Sequence, residues 1–100
     1  MRIRFHDADL ERIATDPTFR GRLDVARVKA FRKVVARIVA VANEAELWTF
    51  RGLNFEPLKG GRSREYSLRL NDQWRMIVEI ETHEGQNTNV IVVKAIEDYH

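Results

Sequence analysis

The chain has 100 residues, 44% hydrophobic and 32% charged, which is enough for one globular core and leaves no room for a second. It contains no cysteine, so disulfides and thiolate metal sites are excluded, and no apolar run approaches the roughly 18 residues of a membrane span. The net charge is only +2, yet the sequence pI is about 9.3, because 13 of the 17 basic residues are arginine. The first residues alternate charge and apolarity without a signal-peptide core, so a cytoplasmic location is the expectation.

Arg2 to Phe5 reads as a short strand. Asp7 suits the cap of a short helix carrying Leu10, Ile13 and Ala14, which Asp16-Pro17 stops. Asp24 caps the best helix, predicted over 25–42, with Val28, Phe31, Val35, Ile38 and Ala42 on one face. Its other side carries Lys29, Lys33 and Arg37 four residues apart, a cationic stripe that by itself is as well explained by a solvated helix face. From Arg20 to Arg37 seven basic residues face Asp24 alone, which suggests a basic surface for an anionic partner. A weak helix follows over 44–50, with Trp48, Phe50 and Phe55 expected in the core, and then a loop at Pro57-Leu58-Lys59-Gly60-Gly61.

The second half reads as sheet. Glu65 to Leu70 and Trp74 to Glu81 alternate, while Asn89 to Ile96 is nearly continuous in apolar residues and fits a central strand. The expected class is α+β: a small antiparallel-rich sheet, made of the amino-terminal strand and three carboxyl-terminal ones, with two or three helices on one face.

Register adds a sharper expectation. If Asn71-Asp72-Gln73 is the whole loop, Leu68 faces Met76 and Tyr66 faces Val78, giving one apolar face. The same register sets Arg69 opposite Arg75, and like charges so placed destabilise a sheet by a few tenths to about 1 kcal/mol. Either a bound anion or a carboxylate on the same face, Glu65 or Glu79, resolves that conflict.

The histidines, His6, His83 and His100, lack zinc-motif spacing, and no phosphate-binding glycine loop or serine nucleophile elbow is present. No metal or cofactor is therefore expected. RNA cleavage needs neither, since RNA carries its own nucleophile in the 2′-hydroxyl. Positioned cations and groups that move protons suffice, and Lys59, Arg69, Arg75 and the terminal Asp98-Tyr99-His100 are candidates. A charged terminus is more often a frayed tail, so spacing alone does not decide the matter.

Three stretches in order, Pro57-Leu58-Lys59-Gly60-Gly61-Arg62, Ser67-Leu68-Arg69-Leu70-Asn71-Asp72-Gln73-Trp74-Arg75 and Glu97-Asp98-Tyr99-His100, resemble the HigB toxins of the RelE/ParE superfamily. The resemblance implies a single RelE-like domain over 1–100 and a ribosome-dependent endoribonuclease that cuts messenger RNA. It implies a helix-turn-helix, HigA-like antitoxin as partner, with the ribosome and mRNA, and no membrane. Carried over by position, the catalytic set is Lys59, Arg75, Asp98, Tyr99 and His100, while Arg62, Arg64, Arg69 and the stripe Lys29, Lys33, Arg37 bind RNA. Where some members have a histidine just before the lysine, this chain has Phe55-Glu56-Pro57, which leaves His100 as the histidine acid and the base unassigned. The alternatives are a ParE-like toxin that inhibits gyrase without nuclease activity and a nucleic-acid-binding accessory protein without catalysis.

Overall fold

The computed structural model describes residues 1–60, 64–82 and 89–98. The elements in chain order are β1 (Arg2–Phe5), α1 (Ala8–Thr15), α2 (Val25–Ala40), α3 (Glu44–Thr49), a 3-10 turn (Arg51–Leu53), β2 (Glu56–Pro57), β3 (Glu65–Arg69), β4 (Trp74–Glu81) and β5 (Val90–Asp98). The five strands form one mixed sheet in the order β1-β5-β4-β3-β2. β1 runs parallel to β5, and the other neighbours are antiparallel. This is the expected α+β class, enlarged by β2, whose Pro57 falls inside the segment expected to be loop. β2 is an edge strand, where Pro57 needs no outward N–H. Among the described residues no helix is long and apolar enough to cross a membrane.

The helices begin where side-chain caps permit. Asp7 accepts from the backbone N–H groups of Asp9 and Leu10, Asp24 from Arg27 and Asn43 from Glu46. α2 buries Val28, Phe31, Val34 and Ile38. Its stripe includes Val34 beside the expected Val35, which is half-buried against the core, and the helix stops at Ala40, so Val41 rather than Ala42 reaches the core. The Met1 ammonium donates to the carbonyl of Val39 at 3.0 Å and also to that of Val41. This positive charge at the carboxyl end of α2 favours the helix dipole and anchors the start of β1.

Leu68, Met76, Val78, Ile91 and Val93 join the helices in a single core cluster. Alternation turns Arg69, Arg75, Glu65, Glu79, Ile77, Val90 and Val92 to the other face, hereafter the open face. Phe55 is buried, but Trp48, expected in the core, is half exposed and stacks on Phe55 with ring centroids 4.6 Å apart.

Arg32, counted above among the basic residues of a partner surface, serves the fold instead. Its Nε donates to the Ile13 carbonyl at 2.9 Å, and its Nη2 donates to those of Asp16 and Phe19 at 3.1 and 3.0 Å. These bonds tie the end of α1 and the following loop to α2. Truncating Arg32 to alanine leaves three carbonyls without their cation and should cost about 2–3 kcal/mol in urea unfolding. A loss below about 0.5 kcal/mol would mean that water replaces the guanidinium without penalty.

Candidate active site

The β3–β4 connection has the register expected from the sequence. Leu68 pairs with Met76, Tyr66 with Val78 and Arg69 with Arg75. Asn71 sets the turn: its Oδ1 accepts from the backbone N–H groups of Gln73 and Trp74, both at 2.9 Å. Leu70 N–H closes the loop on the Trp74 carbonyl at 2.9 Å. Two guanidinium groups therefore stand side by side on the open face at one end of the sheet.

Their repulsion is met by carboxylates other than those expected. Arg69 pairs with Asp72 of the turn, and Arg75 pairs with Glu97 of β5 at 3.6 Å. Glu65 and Glu79, the expected partners, instead hold Lys94, at 3.5 and 3.1 Å. A bulge in β5 makes both arrangements possible. Ile77 pairs with Ala95 and Val78 with Val93, so Lys94 is the extra residue. Without it, Ile96 would stand opposite Arg75. With it, Ile96 turns to the core beside Met76, and Glu97 comes to Arg75.

The expected site residues separate into groups. Asp98 lies opposite Trp74, so alternation turns it to the helix-packed face, away from Arg75, although their Cα positions are only about 6 Å apart by strand geometry; the Gln73 side-chain amide donates to it at 3.4 Å. Tyr99, His100 and Arg62 lie outside the described residues. Lys59 is exposed, two residues beyond β2, where Leu58 N–H bonds the Glu65 carbonyl. It thus lies toward the other end of β3 from Arg69, roughly 19 Å from Arg75 in ladder steps. The hairpin also adds Glu56, unremarked in the sequence as a site residue. It is exposed, lies opposite Ser67, and shares the open face with Arg69 and Arg75.

Charge is divided along the strands. At the Arg69–Arg75 end, Arg27 stacks on Trp74 at 4.2 Å and Arg37 on Phe50 at 5.0 Å, while Lys29 and Lys33 are exposed on α2. A cavity of about 630 Å³ lies at the opposite end. Glu44, Glu79 and Glu81 line it against Arg64 alone, so it disfavours a polyanion, and it separates Arg64 from the other expected RNA-binding residues.

A profile of the HigB-like toxins, described as RelE-like toxin of type II toxin-antitoxin system HigB, matches residues 3–100. The chain belongs to this family. Among solved structures, the YoeB/ParE toxin from Agrobacterium tumefaciens shares the fold, with a TM-score of 0.59 at 17% identity and 100% of both chains covered. No curated protein matches the chain at a significant level. The HigB-like toxin is thus the toxin component of a type II pair, and an antitoxin partner follows from that class.

Within the toxin, Lys94 is held in its charged form. The hydrogen bond to Glu79, reinforced by the charges of Glu79 and Glu65, raises its pKa above the usual 10.5. A lysine with a raised folded pKa contributes stability at neutral pH and loses it only as pH climbs through that raised value. Replacing Lys94 by methionine leaves Glu65 and Glu79 directly opposed. Their shared repulsion should then raise their proton affinity in the folded state, so the variant should melt higher at about pH 5 than at pH 7 relative to wild type. A pH dependence unchanged from wild type would show that the ammonium is not their counter-ion.

Proposed function

We propose that the toxin is a ribosome-dependent mRNA endoribonuclease acting without a metal on the open face of its sheet. The observation that supports this most directly is the pairing of Arg69 with Arg75 on neighbouring strands, at the end of the sheet where β5 runs out toward Tyr99 and His100 in the sequence. Two arginines paired on neighbouring strands suit the oxygens of a phosphodiester.

In this reading the RNA 2′-oxygen attacks the adjacent phosphorus as a base removes its proton. The bond from phosphorus to the 5′-oxygen breaks, and that oxygen receives a proton from His100. The products are a 2′,3′-cyclic phosphate and a 5′-hydroxyl. Arg75 stabilises the charge that develops on the phosphoryl oxygens, and Lys59, roughly 19 Å away toward the other end of β3, holds the RNA farther along its backbone. Tyr99 stacks on an unpaired base, and Asp98 orients its neighbours. Lys59, Asp98 and Glu56 are candidates for the base; Glu56 is the one that the β2–β3 hairpin turns to this face, while Lys59 lies roughly 19 Å from Arg75 and Asp98 shares the helix side with Trp74. A substitution that removes the low-pH limb of the cleavage rate identifies the base.

The remaining expected RNA contacts, Lys29, Lys33, Arg37, Arg62, Arg64 and Arg69, hold the ribosome. A HigA-like helix-turn-helix antitoxin silences the toxin in the cytoplasm. A gyrase-directed toxin would have no need of Asp98-Tyr99-His100 together with Lys59.

Replacing Arg75 by alanine should lower cleavage about 10²–10³-fold with unchanged antitoxin binding, and alanine at His100 or its deletion should act similarly. Primer extension on a translated message should show cuts that vanish when initiation is blocked. Growth arrest retained by both the Arg75 and the His100 variant would refute the nuclease reading, and cuts in naked RNA would refute ribosome dependence.

A further inference from the structure

We propose that Glu97 is the base of the cleavage reaction, the group that takes the proton of the attacking 2′-hydroxyl. This rests on the nuclease reading above and deepens it with a residue to which the family resemblance assigns no role.

Direction along β5 decides between neighbouring carboxylates. Glu97 stands directly opposite Arg75, with its Oε1 3.6 Å from the Arg75 Nη2, whereas Asp98 stands opposite Trp74 and is turned to the helix side. Glu56 shares the face of Arg75 but lies two strand spacings across and two residues along, roughly 12 Å between Cα positions. Asp72 is on the turn, paired with Arg69. The extra residue Lys94 is what aims Glu97, since without it Ile96 would take that place. Bulges recur beside active sites for this purpose, to redirect a side chain.

A base next to a phosphate-binding cation suits this substrate, because adjacent ribose carbons carry the 2′-hydroxyl and the scissile phosphate. A guanidinium that holds the phosphate therefore delivers the hydroxyl to the carboxylate beside it. The 3.6 Å separation is longer than a hydrogen bond, so Arg75 orients Glu97 without locking it. The side chains of Arg75 and Glu97 are 21% and 37% exposed, which leaves both within reach of a ligand. On binding, the phosphate takes the guanidinium, and the Glu97 carboxylate accepts the 2′-hydroxyl proton as that oxygen bonds to phosphorus. The bond from phosphorus to the 5′-oxygen breaks, its electron pair stays on that oxygen, and His100 protonates it. Glu97 ends the step protonated and returns the proton to water.

Single-turnover cleavage of a message on programmed 70S ribosomes, followed across pH with the full-length toxin, is the measurement. Glu97→Gln should lower the rate about 10²–10³-fold and abolish its low-pH limb. The same variant should bind ribosomes carrying a 2′-O-methyl codon at least as tightly as wild type, because no carboxylate then competes for Arg75. Unchanged antitoxin affinity reports that it is folded. Glu97→Asp keeps the carboxylate and should restore the limb, with about tenfold of the lost rate recovered. Asp98→Asn and Glu56→Gln should keep the limb, however much they slow cleavage.

A low-pH limb retained in Glu97→Gln, or lost in Asp98→Asn or Glu56→Gln instead, would overturn the assignment and leave the nuclease reading standing. Cleavage by Glu97→Gln at the wild-type rate or faster would overturn it as well, reducing Glu97 to a counter-ion of Arg75. A wild-type toxin that leaves every programmed message intact would refute the nuclease and its base together.

Discussion

The register of β3 against β4 is the constraint on which both the core and the site depend. Leu68 and Met76 are fully buried as a pair, and a slip of one residue would turn one strand's apolar set toward the open face. Each such side chain contributes about 1.5–3 kcal/mol by burial, far more than the opposition of Arg69 and Arg75 costs. The core therefore dictates the register, and the paired guanidinium groups follow from it. Asn71 makes the choice local, since one side-chain oxygen receives two N–H groups of the turn.

Placing two arginines together this way requires nearby carboxylates that still allow a ligand to compete. Asp72 lies on a turn and is fully solvated, so its hold on Arg69 is weak; Glu97 lies on a strand and is more enclosed. The bulge at Lys94 sets the second pairing and also separates the charges along the sheet. Lys94 occupies Glu65 and Glu79 away from the arginines, leaving the Arg69–Arg75 end basic and the far end acidic.

Patterns with a short period were legible in the sequence: the caps at Asp7 and Asp24, the spacing along α2, and the alternation of β3 and β4. What escaped depends on residues distant in the chain. The two-residue strand Glu56–Pro57 has no periodicity to detect, and it forms only because β3 offers its edge. The pairing of Glu97 with Arg75 depends on a bulge, invisible in an apolar run, that shifts the phase of β5 by one. Arg32 looked like a surface charge because its three carbonyl partners lie 13 to 19 residues away. Of the site, the arginine pair was derivable from register alone. The roles of Lys59, Tyr99 and His100 came from family resemblance, since no spacing rule connects a loop lysine to a chain terminus.

The most direct test of this account is a structure of the toxin on a translating ribosome whose A-site codon carries 2′-O-methyl groups, which block the attack and hold the substrate in place. The account predicts the scissile phosphate within hydrogen-bonding distance of the Arg75 guanidinium, with the Arg75–Glu97 pair opened to admit it. A message bound elsewhere on the toxin, with that pair intact, would contradict it.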